Sequence, residues 1–183
     1  RDANNNKNNK RSHFFSSFFY TKLMDQGNTV HPEKCNKYNY SLVKRWSKKV
    51  PGKDLFALDK IFFPINQNAM HWVCVVVFMQ QKKIRMYDSM GSDGMHHLED
   101  IFRYLKDEHQ AKKGSPLPDA DEWELIGTTR DTPQQMNGYD CGVFTCMFCD
   151  FVSQNVPLVF TQQHITKCRE RIALSIMNGT AIE

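Results

Sequence analysis

No apolar run in these 183 residues approaches the ~20 that a membrane-spanning helix needs, so no membrane partner is expected. The opening residues are Asn-rich and charged, and give no sign of a secretory h-region. No internal repeat is present. No second cysteine pair stands at zinc-like spacing from Cys146-x-x-Cys149, and Cys141 falls on the same expected helix, so neither a metal nor any other cofactor is expected. The six cysteines, Cys35, Cys74, Cys141, Cys146, Cys149 and Cys168, make no secreted disulfide framework, and a reducing intracellular compartment fits a chain this long better. The basic residues come with no stacking series and no known reader motif, which argues against nucleic acid as a partner.

What is present supports one domain with a sizeable core. Residues 1 to 11 read as a low-complexity tail or loop rich in Asn and Lys, and residues 12 to 183 as the folded unit, expected to be a monomer. Charge is uneven: residues 1 to 60 carry +8 and residues 61 to 183 carry −4. Lys44, Arg45, Lys48 and Lys49 cluster around Trp46. Three readings compete for them: a solvated face, nucleic-acid binding, or steering of an acidic protein partner.

The most informative stretch is Pro133-Gln134-Gln135-Met136-Asn137-Gly138-Tyr139-Asp140-Cys141-Gly142-Val143-Phe144. Asn137-Gly138 is a turn signal, Asp140 is placed to cap, and Cys141 then falls in the first turn of a helix through Val143, Phe144, Met147, Phe148 and Phe151. Unpaired amides and the positive dipole end at a helix start stabilise a thiolate, which is the attacking species in cysteine catalysis. A lone cysteine is more often a packed thiol, so partners decide the matter.

Two candidates exist. His71-Trp72 opens the β-branched run Val73 to Phe78, and Ile84 to Tyr87 leads into Asp88. The polar connection Gln80 to Lys83 has hairpin length, so the runs pair antiparallel. His71 and Asp88 then lie side by side at one sheet edge, where a carboxylate fixes the tautomer of an imidazole whose other nitrogen meets a thiol.

His71-Trp72, Tyr87-Asp88-Ser89-Met90-Gly91 and Pro133 to Gly142 resemble the catalytic signatures of the ubiquitin-like-protein-specific cysteine proteases, also called sentrin or SUMO proteases. The order His, Asp, Gln, Cys agrees, as do the sixteen residues between His71 and Asp88 and the place of Gln135 six before Cys141. Phe14 to Leu23, Val43 to Trp46 and Phe160 to His164 also read like family sequence. The resemblance implies His71 as base, Asp88 as its orienter, Cys141 as nucleophile and Gln135 as oxyanion donor. It implies substrate contacts at Trp72 and Gly138 and, through the modifier's acidic surface, at Lys44 and Arg45. Trp72 would cover a tunnel for the modifier's Gly-Gly tail; its bland reading is a half-buried core aromatic.

From the same likeness follow SUMO and SUMO-conjugated proteins as partners, cleavage after the Gly-Gly terminus, and a nuclear or nuclear-envelope location. Rival readings are a deneddylase or deubiquitinase, an acyltransferase using a similar Cys-His-acid set, and an inactive SUMO binder. Members usually open with a Trp-Leu-Asn-Asp-like segment, and nothing of that kind precedes Phe14, so the domain is expected to lack it.

The expected fold is α+β, with the papain-like cysteine protease architecture that the resemblance implies: a mixed, mainly antiparallel sheet packed between helices. Along the chain the pattern predicts a helix from Ser12 to Gly27, a basic helix at about 39–50, and a strand near Ile61 to Ile65. The His and Asp strands follow, then a helix from Leu98 to Lys113 headed by exposed His96 and His97. A strand at Trp123 to Thr129, the Cys141 helix with Cys146 and Cys149 buried in it, and a helix from Thr161 complete the series.

Overall fold

The computed structural model describes residues 11–27, 29–31, 33 and 35–179. Five strands form one sheet in sequence order: β1 (Ser12–Phe14), β2 (Lys60–Gln67), β3 (His71–Phe78), β4 (Lys83–Tyr87) and β5 (Glu124–Ile126). The long central pairs β2–β3 and β3–β4 are antiparallel, and the short edges β1 and β5 join parallel to their neighbours. Among the described residues four α-helices complete the fold: α1 (Phe18–Leu23), α2 (Met95–Lys113), α3 (Cys141–Gln154) and α4 (Ile165–Asn178).

Both faces of the sheet are covered, which is why β3 reads as an unbroken apolar run instead of an alternating one. Ile61, Phe63, Ile65, Val73, Val75, Val77, Ile84 and Met86 face α1 and α2, meeting Phe19, Leu98, Ile101 and Leu105. Phe62, Cys74, Val76 and Tyr87 face α3, meeting Phe144, Phe148 and Val152. Each such side chain contributes about 1.5–3 kcal/mol when fully buried. These two cores hold α2 and α3 on opposite sides of one sheet.

Several local expectations are corrected. Ser12 to Phe14 is a strand, because these residues pair with Lys60 to Phe62, and the helix starts only at Phe18 and ends at Leu23. The segment at 39–50 is no α-helix: it is a chain of 3₁₀ turns, Tyr40–Leu42 and Trp46–Lys49. Its anchors Tyr40, Val43, Trp46 and Val50 recur every three or four residues, and the Asn39 side chain accepts from the Ser41 amide to start the first turn. Strand β5 stops at Ile126, short of Thr129, and the next residue, Gly127, runs so close to Asp93 that a Cβ there would lie 2.9 Å from its carbonyl oxygen. His97 is buried, not exposed, since Tyr20 of α1 packs edge-on to it.

Candidate functional site

Strand β3 begins with His71 and Trp72, and helix α3 begins with Cys141 and Gly142. The two starts meet. The Trp72 ring lies over Gly142 so closely that a Cβ built there would sit 3.5 Å from its Cδ1 atom. His71 and Cys141, the residues immediately before them, therefore share one junction between sheet and helix. Trp72, Gly138, Tyr139, Cys141 and Gly142 line an open cleft of about 560 Å³, whose far wall is Ile172, Ala173 and Ile176 of α4. The Cys141 thiol is buried at the foot of this cleft, and Gly138 stands at its rim with open space around its Cα.

His71 Nε2 is 2.6 Å from Oδ1 of Asp88. With Nε2 donating to the carboxylate, Nδ1 is the ring nitrogen left to take a thiol proton. Asp88 is only 1 % exposed, and every oxygen lone pair it offers is in use. Its Oδ1 also accepts from the Met90 amide at 2.7 Å, while Oδ2 accepts from the amide and hydroxyl of Ser92. Burial opposes its charge, but the donors Ser92, Met90 and His71 outweigh burial and hold the carboxyl below its usual range. The turn that supplies these donors needs Gly91, whose φ is +81°.

Gln135 is tied into the same turn. Its amide nitrogen on the main chain donates to the Ser89 carbonyl at 2.8 Å, and its side-chain Oε1 accepts from the Ser89 hydroxyl at 2.6 Å. The side-chain nitrogen donates to the Asn137 carbonyl, four residues before the thiol. Gln134 adds a bond from its side-chain nitrogen to the Asp88 carbonyl at 3.2 Å. The acid, the amide and the loop entering α3 thus form one hydrogen-bonded unit.

Asp140 holds the cap position of α3 but does not cap with its side chain, which corrects the sequence expectation. Its carboxylate instead accepts from Asn137 at 2.7 Å, Gln162 at 2.8 Å and Arg169 at 2.5 Å. Burial again opposes the charge, and these three donors hold the carboxyl low. Gln162 also accepts from the Met136 amide at 2.8 Å, so residues before and within α4 pin the loop that delivers Cys141. Sequence reasoning gave no role to Ser89, Ser92, Gln162 and Arg169, and read Asn137 only as a turn residue. Ser89, Asn137 and Gln162 lay within the quoted stretches, and only the fold shows which neighbours they hold.

Cys149 is half-buried against the core beneath α3, but Cys146 is not packed as expected. Gly142, Cys146, Asp150 and Ser153 follow one another along one face of α3, and Cys146 is exposed on it, in the cleft beside Cys141. Half-buried Cys149 lies with its sulfur 3.5 Å from that of buried Cys74, and all six cysteines are free thiols. Among the described residues no group of three or more His, Cys, Asp or Glu side chains could hold a metal, and no helix is long and apolar enough to cross a membrane.

The structure does not bring Lys44 and Arg45 to this junction. The Lys44 carbonyl accepts from Lys112 in the last turn of α2, whereas the first turn of α2 lies beside Gln67 and Asp88. That separation is roughly 20 Å along the helix axis. Both side chains are exposed.

A cysteine at a helix start, beside a strand end whose histidine is bonded to a buried carboxylate, on an α+β scaffold, fits a papain-like cysteine protease. The chain belongs to the Ulp1 protease family, whose C-terminal catalytic domain matches residues 1–179. It is 35 % identical over 166 residues, 91 % of this chain, to sentrin-specific protease 2 of Homo sapiens. It is 36 % identical over 180 residues, 97 % of this chain, to ubiquitin-like-specific protease 1A of Arabidopsis thaliana. The chain spans only 26 % and 33 % of the length of those relatives. Among solved structures it resembles the C-terminal Ulp1 protease domain in complex with Smt3, the yeast ortholog of SUMO. That likeness has a TM-score of 0.72 and 32 % identity, and covers 92 % of this chain and 68 % of that one.

Proposed function

We propose that this chain is the catalytic domain of a thiol protease and isopeptidase that cuts after the C-terminal Gly-Gly of SUMO, releasing it from lysines or trimming its precursor. Family membership and the relatives' names support the substrate class. The observation that carries the reading is the His71–Asp88 bond at 2.6 Å on the same strand end that lays Trp72 over Gly142, next to Cys141. A tail able to pass beneath that ring must be narrow, and glycine has no Cβ to clash.

In this reading His71 Nδ1 accepts the Cys141 proton, and the thiolate attacks the carbonyl carbon of the terminal glycine. Negative charge gathers on the carbonyl oxygen, where the Cys141 amide and the Gln135 side-chain nitrogen donate to it. The Ser89 hydroxyl fixes the other end of the Gln135 amide, so its nitrogen is aimed before substrate arrives. It exchanges the Asn137 carbonyl for the developing oxyanion. His71 then passes its proton to the leaving lysine amine, and water hydrolyses the thioester by the reverse relay. Asp88 stays ionised throughout and supports the imidazolium. Exposed Lys44 and Arg45 act earlier, attracting the modifier's acidic surface. A reducing, intracellular compartment suits six free thiols, and a nuclear site is proposed on the family likeness alone.

The test is a panel of modifier probes carrying a C-terminal electrophile. Labelling of Cys141 by the SUMO probe but not by ubiquitin supports the reading. Labelling by ubiquitin or another modifier instead reassigns the substrate. Tight SUMO binding without labelling would make the chain a binder.

A further inference from the structure

Behind His71 lies a polar contact that the chemistry above does not use. Gln67 is the cross-strand partner of His71 in the β2–β3 ladder, so the two side chains leave the same face of the sheet. The Gln67 side-chain nitrogen donates to Nε2 of His97 across 2.7 Å. His97 belongs to the first turn of α2 and is 5 % exposed. Its ring is wedged between Tyr20, edge-on with centroids 4.7 Å apart, and His96 at 3.9 Å. The Tyr20 hydroxyl in turn donates to Asp100 of α2 at 2.6 Å, which holds the wedge in place.

The turn between Gln67 and His71 closes on a bond from the Met70 amide to the Gln67 carbonyl at 3.0 Å, but its backbone is strained. Asn68 and Ala69 are both left-handed, with φ of 52° and 58°. Asn tolerates that region, but the Cβ of Ala69 is crowded there. A strained turn delivers the imidazole, and a buried ring on the neighbouring helix grips the residue opposite it.

We infer that His97, acting through Gln67, is a positioning residue for His71: it fixes the β2–β3 turn so that the imidazole keeps its alignment between Asp88 and Cys141. This rests on the proposed role of His71 as base. Accepting at Nε2 requires a neutral ring with its proton on Nδ1, and that buried nitrogen has no partner among the described residues. Burial, then His96, lowers the His97 pKa to about 4, against a weaker pull upward from Asp88, so the acceptor persists at working pH. A residue serving only to fill space would need the ring but not the nitrogen.

The experiment compares wild type with His97→Phe, which keeps a packed ring without Nε2, with Gln67→Leu, and with the double variant. Two readouts are taken: kcat and KM on a SUMO fusion, and the pH profile of Cys141 alkylation by iodoacetamide, followed by peptide mass mapping. Each single variant should lower kcat about 10- to 100-fold with KM within twofold, and should move the acid limb of alkylation to higher pH. The double should be no slower than the worse single, since both break one contact. His97→Gln, which restores a polar partner, should recover most of kcat. A folded His97→Phe with wild-type kcat and alkylation profile overturns the inference, as do additive losses in the double. If His97→Phe fails to fold, Gln67→Leu decides alone by the same two readouts. Wild type that alkylates normally yet cleaves no SUMO sinks the proposed substrate, and the alkylation profiles still judge the clamp.

Discussion

Replacing Asp88 by Asn removes one charge and keeps the shape, and its neighbours dictate how the amide settles. Oδ1 accepts from His71 and from the Met90 amide, whereas Oδ2 accepts from the Ser92 amide and hydroxyl. An NH₂ group at the first position would face two donors. At the second it faces one fixed donor, and the Ser92 hydroxyl can rotate to accept from it. The second orientation wins, so the oxygen stays toward His71 and the tautomer survives. What is lost is the buried negative partner of a half-buried imidazolium. Breaking a buried pair costs about 3–5 kcal/mol, or roughly 10²–10⁴ in rate. With the tautomer preserved, the fall should lie toward the lower end, near 10². It should appear in kcat, because the imidazolium forms after the modifier has bound. Stopped-flow cleavage of a SUMO fusion by the folded Asp88→Asn variant is the assay. A kcat within tenfold of wild type would remove Asp88 from the site, and a fall near 10⁴ would mean that the amide turned the other way.

Cys141→Ser should abolish cleavage while leaving SUMO affinity by calorimetry near wild type, because a hydroxyl is a far weaker nucleophile in the same place. Gln135→Ala should raise the barrier by about 2.7–4 kcal/mol, the loss typical of one oxyanion donor, and a kcat unchanged within threefold would reassign it. Thermal stability should drop as pH falls from about 6.5 to about 4, since the unfolded chain takes up a proton that buried His97 refuses. His97→Phe should flatten that limb of a Tm profile, and a further loss below pH ~3.8 should remain, where Asp88 and Asp140 lose their donors' support. If Lys44 and Arg45 steer the modifier, reversing both charges should lower kcat/KM and weaken its salt dependence without touching kcat; parallel salt slopes would leave them a solvated face.

The candidate catalytic group was legible because its order is local. Two β-branched runs with a short polar connection pair with little choice of register, and that alone sets His71 near Asp88. The Asn137-Gly138 turn and the apolar run after it likewise announce the start of α3. What stayed hidden depends on distant partners. Ser12 to Phe14 carries aromatics that read as a helix, and becomes a strand only because β2 offers an edge. His97 heads a helix, where a histidine is usually exposed, and is buried because α1 folds over it. Cys146 shares a face of α3 with Gly142, Asp150 and Ser153, and only its residue type made it read as core. Asp140 looks like a cap, and serves instead as the acceptor for Gln162 and Arg169, more than twenty residues on.

The register of β3 carries a catalytic consequence beyond stability. Side chains alternate along a strand, so His71 shares its face with Val73 and Val75, toward α2, and Trp72 shares its own with Cys74 and Val76, toward α3. Two neighbouring residues therefore work from opposite sides of the sheet. His71 is held from the α2 side by Asp88, while Trp72 covers Gly142, next to Cys141. Slipping β3 by one residue would exchange them, pointing indole at the carboxylate and imidazole over Gly142. The full apolar run of β3 gives such a slip little hydrophobic penalty along its length, because both faces are buried. Register must then be fixed at the ends, by the four-residue connection at Met79 to Lys82 and by the turn at Asn68 to Met70. Both carry left-handed non-glycine residues, Lys82 in the first and Asn68 and Ala69 in the second, and it is the second that is gripped from α2.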